Sequence, residues 1–199
     1  MRRLARCSPG GRYPHGSTLL PLILIFALLL LGSCSSGEGP QALLRETRNS
    51  YLQARLKLKE LDEFFPEMEE LLKRETGETL KKEALSLIGE KRNSYSSFLR
   101  SENDAKKEIE MLNEKGGELS RYASQLSALL EANAQEAGLI ADYMLKTEAL
   151  LDQIPLKNPA DLRPQLEKLN GITGKIQELR DLIQQKEKEA EEFYQSHFG

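Results

Sequence analysis

The sequence has no tryptophan, two cysteines, two histidines and an aromatic share of only 6%. Each shortage removes a class of protein. His15 and His197 cannot build a His-rich metal centre, and the acidic residues do not stand in the Glu-x-x-His spacing that would supply one. No Ser-His-Asp, Cys-His or paired-carboxylate constellation can be argued from spacing, so neither an enzyme nor a cofactor site is expected. The segment Gly171-Ile172-Thr173-Gly174-Lys175 carries part of a phosphate loop. However, Leu169 stands where the first glycine belongs and Ile176 where Ser or Thr should be. A membrane-spanning helix is also missing: the apolar run Leu19 to Leu31 is 13 residues, against about 20 needed to cross a hydrocarbon core.

What is present begins with a leader. Arg2, Arg3, Arg6 and Arg12 precede the apolar run and no acidic residue accompanies them, which is the layout of a secretory signal. Without residues 1–33 the 28 basic side chains fall to 24 against 31 acidic ones, a formal charge of −7 rather than −3. Such a surface repels phosphate backbones, and nucleic acid is not an expected partner.

The run ends in Leu31-Gly32-Ser33-Cys34. An aliphatic residue, two small residues and a cysteine in that order resemble the lipobox of bacterial lipoproteins. The resemblance implies cleavage between Ser33 and Cys34 and acylation of the Cys34 sulfur, with further acylation of its freed amine. The chain would then be held on a lipid bilayer, since two or more acyl chains give stable anchoring. Ser35, in place of an aspartate, implies the outer membrane rather than the inner. Cys7 would leave with the leader and Cys34 would be consumed as a thioether, so no thiol would remain to form a disulfide, which suits an oxidising compartment. In lipid anchor and heptads the chain is similar to the small outer-membrane lipoprotein joined to peptidoglycan through its final lysine. It ends Ser196-His197-Phe198-Gly199, so that covalent link is not expected.

Ser35 to Pro40 is too polar and glycine-rich to pack and reads as a flexible tether. Pro40 suits the first turn of a helix. From residue 41 on, Lys, Glu, Leu, Gln and Ala dominate, and the apolar spacing predicts four long helices forming the domain 41–199. Over 41–75, Leu44, Tyr51, Leu58, Phe65 and Leu72 recur every seventh residue, with Ala54, Leu61 and Met68 three later. Pro66 predicts a kink there, Glu69–Lys73 and Glu70–Arg74 are i,i+4 pairs, and Gly77 is the expected left-handed cap. Over 79–115 the stripe is Ala84, Ile88, Tyr95, Phe98, Ala105, Ile109 and Leu112. Over 118–154 it is Leu119, Ala123, Leu126, Leu130, Ala137, Ile140, Met144, Leu151 and Ile154. Over 160–197 it is Leu162, Leu169, Ile172, Ile176, Leu179, Ile183, Ala190 and Phe193, with Gly171 and Gly174 on the outer side.

Gly116-Gly117 admits two architectures. Heptad register runs unbroken across it, which suits an extended rod with one continuous helix over 79–154. Paired glycines inside a helix cost about 2 kcal/mol relative to alanine, which favours a hairpin and an elongated antiparallel up-down bundle of four long helices, all-α. The tetrapeptide Arg48-Asn49-Ser50-Tyr51 recurs as Arg92-Asn93-Ser94-Tyr95, a short internal echo.

Three polar residues interrupt the apolar seams: Lys91, Glu102 and Asn133. Residues of this kind can set register or partner choice at a cost in stability. For Lys91 and Glu102 the simpler expectation is a stem along the core with the charge in water. The functional expectation is a lipid-anchored, non-enzymatic envelope protein that works as a helical scaffold or spacer against an envelope protein partner. A carrier or chaperone for an apolar ligand or unfolded client, and a surface adhesin or antigen, are the alternatives.

Overall fold

The structure is a computed structural model that describes residues 39–153 and 163–199. The leader, Ser33, Cys34 and the tether up to residue 38 lie outside the described residues, as do Ile154 and Leu162. Helix α1 runs Pro40–Asp62, α2 Phe64–Arg74, α3 Gly77–Asn113, α4 Gly117–Leu151 and α5 Arg163–Phe198. Among the described residues all regular structure is helical, and none of these helices is long and apolar enough to cross a membrane. Residues Pro40–Gly199 form one compact unit.

The helices pack up and down, α1 against α3, α3 against α4, and α4 against α5, with α1 also touching α4 across the centre. This is the antiparallel bundle, and the continuous-helix alternative is overturned at Gly116 and Gly117. Their φ angles of 72° and 58° lie in the left-handed region that an α-helix cannot contain and that glycine adopts without steric penalty. Gly116 N–H donates to the Asn113 carbonyl at 3.2 Å, and the Ser120 hydroxyl closes the hairpin on the Asn113 side-chain oxygen at 2.6 Å. Register continuity across this point reflects two helices of similar length, not one rod. At 1.5 Å per residue the 37-residue α3 makes the bundle about 55 Å long.

The first predicted helix is broken once. Pro66 has no N–H to offer the Asp62 carbonyl one turn before it, and the helix is interrupted between Asp62 and Phe64. Backbone hydrogen bonds continue on either side, Glu63 N–H to Lys59 and Glu67 N–H to Glu63, each at 3.2 Å, so the chain bends without turning back. The bend shifts the heptad: Phe64 is fully buried in place of Phe65, and Leu72 is 59% exposed. The left-handed residue is Gly77 as expected, but it opens α3, while Glu75 closes α2 by donating its N–H to the Leu71 carbonyl at 2.9 Å. Glu69 and Lys73 pair at 2.5 Å, whereas Arg74 turns away from Glu70 to Glu83 of α3 at 3.1 Å.

Two apolar cores are stacked along the bundle. The lower one, at the Pro40 end, gathers Leu43, Leu44, Ile109, Leu112, Tyr122 and Leu126, with Phe193, Tyr194 and Phe198 packed against it. Arg48 lies over the Tyr194 ring at 4.3 Å, so the start of α1 and the end of α5 share one end of the molecule. The upper core holds Leu58, Leu61, Phe64, Phe98, Ile140 and Ile176.

Candidate functional site

The junction between the two cores is polar on every long helix. On α1 it falls between Ala54 and Leu58, where Arg55 stands; on α3 between Phe98 and Ala105, at Glu102. On α4 it falls between Ala132 and Ala137, at Asn133 and Glu136; on α5 between Ile176 and Ile183, at Arg180. A charged layer therefore crosses the bundle near its middle.

Glu136 is its centre. The side chain is 2% exposed, with Oε1 accepting from Arg180 Nε at 2.8 Å and Oε2 3.7 Å from an Arg55 nitrogen. Oε2 has no hydrogen-bond donor among the described residues. Desolvation raises the Glu136 pKa above the usual carboxylate value, Arg55 pulls it back and Glu187 adds to the rise. Burial thus outweighs the ion pairs, as expected for charges far from water. Desolvation also lowers Arg180 from its ordinary value, with Arg55 adding to the effect, and Arg180 pairs in addition with Asp62 of α1.

Arg55 continues the network outward to Glu187 of α5 at 2.9 Å, and the Tyr51 hydroxyl donates to the same carboxylate oxygen at 2.9 Å. Burial, first, and then Glu187 raise the Tyr51 pKa, so the phenol stays protonated. Asn133, fully buried, lies near that hydroxyl and favours its ionised form, while neither amide atom makes a hydrogen bond of full geometry among the described residues.

These contacts fill a seam that backbone packing leaves wide, because α1 and α5 stand further apart than the other adjacent long helices. Between them runs a groove of about 320 Å³ with Tyr122, Leu126 and Leu129 of α4 on its floor and Arg48, Arg55 and Glu191 at its mouth. Arg48 closes the lower end onto Glu191 at 2.7 Å. The Tyr122 hydroxyl, desolvated but near the Arg48 guanidinium, has its pKa pushed up to about 12.

Of the polar residues singled out from the sequence, Glu102 and Asn133 belong to this layer, and Lys91 sits higher, in the upper core. Lys91 is 4% exposed and its ammonium meets the Glu67 carboxylate of α2 at 2.8 Å, so its charge ends on a partner rather than in open water. Glu102, 9% exposed, is held by Lys106 one turn along its own helix at 2.6 Å. Cys34 and Ser33 lie outside the described residues. Sequence reasoning missed Glu136, Arg55 and Arg180. A seam of two positions per heptad describes a helix with one buried face, but α4 packs against α3, α5 and α1 and buries flanking positions as well. The available signal was the i,i+3 spacing of Asn133 and Glu136 on one face.

Chemically the layer offers no nucleophile beside a base. At the C-terminus the Ser196 hydroxyl and His197 Nδ1 stand 2.8 Å apart, with His197 Nε2 3.9 Å from Glu118. All three groups are on the surface, the imidazole stacks on Phe193 at 4.2 Å, and Ser196 and His197 both face the Phe193 carbonyl. This is helix-end capping. The Gly171–Lys175 segment is continuous helix within α5, so its amides are engaged in the helix and cannot cradle a phosphate. Among the described residues no group of His, Cys, Asp or Glu is arranged to hold a metal ion. Comparison of the chain with protein-family models, with curated proteins and with solved structures found no significant match.

Proposed function

We propose that this protein is a lipid-anchored, non-enzymatic envelope protein whose helical bundle serves as a scaffold or spacer for a protein partner. The observation that carries the reading is the sequence Leu31-Gly32-Ser33-Cys34 at the end of a 13-residue apolar run, with a six-residue tether from Ser35 to Pro40 behind it. Acylated Cys34 holds the chain on the outer membrane, and the bundle stands off that surface. Its described residues support a binding role over a chemical one: Arg55, Glu136, Arg180 and Glu187 of the polar layer are engaged in ion pairs between helices.

Growth with an alkyne-bearing fatty acid, followed by ligation to a reporter, tests the anchor directly. The protein should be labelled, and Cys34→Ala should abolish both label and membrane fractionation. An unlabelled protein, or an unchanged distribution of the Cys34→Ala chain, removes the proposal.

The α1–α5 groove gives the carrier reading a specific footing, since its floor is apolar. Titration of the purified protein with a solvatochromic dye decides it. Saturable binding that Leu126→Glu abolishes supports a carrier; the absence of saturable binding leaves the scaffold.

A further inference from the structure

On the outer side of α4 and α5, opposite in character to the charged seam, lies an apolar groove of about 690 Å³. It is lined by Gly138 and Leu139 of α4 and by Lys175, Glu178, Leu179 and Leu182 of α5. Leu182 is 43% exposed. Neither Lys175 nor Glu178 has an ion-pair partner among the described residues.

Two glycines extend the same face of α5. Gly171 and Gly174 are exposed, and a Cβ added at either would meet nothing within 4 Å. Nothing inside the bundle requires them, although a glycine weakens a helix interior relative to alanine. At 3.6 residues per turn, residues 171, 174, 175, 178, 179 and 182 occupy about 140° of the helix circumference. They form one continuous face.

We propose that this face binds a second copy of the same chain, α5 against α5, antiparallel about a two-fold axis passing between residues 176 and 177. The argument is self-complementarity, which a two-fold interface demands. That axis sets Lys175 opposite Glu178 of the second copy, and Glu178 opposite its Lys175. The same axis sets half-buried Leu179 over Gly174 and exposed Leu182 over Gly171, so each leucine meets the hollow left by a missing side chain. One turn further out Lys186 comes opposite Glu167. A single placement of the axis thus pairs both charges and seats both leucines, and the glycines acquire the reason the monomer does not supply: they let two helices approach closely. The interface does not involve Cys34, so it stands or falls separately from the lipid anchor.

Charge reversal tests it. Lys175→Glu and Glu178→Lys are made in the full chain, separately and together, and the association state is followed by sedimentation velocity in density-matched detergent. Both positions are exposed, and circular dichroism checks that the helices persist. The wild-type chain should dimerise, and each single reversal should raise the dissociation constant about tenfold or more by placing like charges opposite one another. The double variant should recover the dimer, and an equimolar mixture of the two single variants should form the heterodimer. A monomeric wild type, single variants that dimerise like wild type, or a double variant without recovery would each overturn the proposal. A benzophenone amino acid at Leu182 gives a second readout in intact cells. Crosslinks to the Gly171-containing peptide of another copy support the dimer. Crosslinks only to lipid or to a different polypeptide assign the groove to that occupant and overturn it.

Discussion

The Glu136 carboxylate of α4 accepts a hydrogen bond from Arg180 of α5 at 2.8 Å, at a depth where 2% of the glutamate side chain meets solvent. The pair joins the two helices where the apolar cores part. It is also a place where the fold bears an electrostatic cost, because desolvation is the largest influence on both groups.

That cost should appear in the pH dependence of stability. A carboxyl whose folded pKa is raised favours folding most below its unfolded value, about 4.5, and this contribution is lost as pH rises through the folded value. Wild-type stability should therefore lose a component from about pH 4.5 upward that Glu136→Gln does not lose. Urea unfolding of both chains at pH 4, 5, 6 and 7 measures the difference. Parallel curves would mean that Glu136 does not titrate across this window.

Asn133 should be dispensable for stability. Its amide is buried without a hydrogen bond of full geometry among the described residues, and an unsatisfied buried polar group costs about 1–3 kcal/mol. Asn133→Leu should raise stability by about 1 kcal/mol, with the Tyr51 hydroxyl still held by Glu187. The urea midpoint reads this. A loss of stability would show that the amide is solvated or paired in solution.

Glycines in turns and glycines in helices should respond oppositely. Gly116→Ala and Gly117→Ala place a Cβ in the left-handed region and should each destabilise by about 1–2 kcal/mol. Gly89 lies inside α3, and a Cβ added there would meet nothing within 4 Å. Its conversion to alanine should stabilise the protein by up to about 1 kcal/mol. Thermal unfolding of the three single variants checks both signs.

Salt should loosen α5 selectively. Its hold on α1 is through Arg48–Glu191, Arg55–Glu187 and Asp62–Arg180, and partly exposed pairs are screened as ionic strength rises. Hydrogen exchange measured at low and at high salt should speed up over residues 163–198 more than over 117–151, where α4 is buried by apolar contact. Uniform acceleration would argue against an electrostatic seam.

Much of this architecture could be read from residue order, and the exceptions have physical causes. The stripes of α3 and α4 run without a breaker, so Ala84 to Leu112 and Ala123 to Leu151 lie in the core as their spacing predicted, with Tyr95 only half-buried. The hairpin was carried by Gly116-Gly117. What failed was the register around Pro66: the break between Asp62 and Phe64 buries Phe64 in place of Phe65 and leaves Leu72 exposed, whereas Met68 lies in the core as its spacing predicted. The charged layer was half legible. Glu102 and Asn133 interrupt seams and could be seen. Arg55, Glu136 and Arg180 sit beside the seams, and their burial depends on how many neighbours a helix acquires, which periodicity along one helix does not encode.

The start of α1 and the finish of α5 share one end of the bundle, and the turn between α2 and α3 lies at the other. A force applied between Pro40 and that distal turn therefore runs along the helix axes. It loads α1 in shear against α3 and α4, so that side chains from Leu43 to Leu61 must slip together instead of peeling apart in sequence. Mechanical resistance in this geometry is set by the rate of unfolding under load rather than by equilibrium stability.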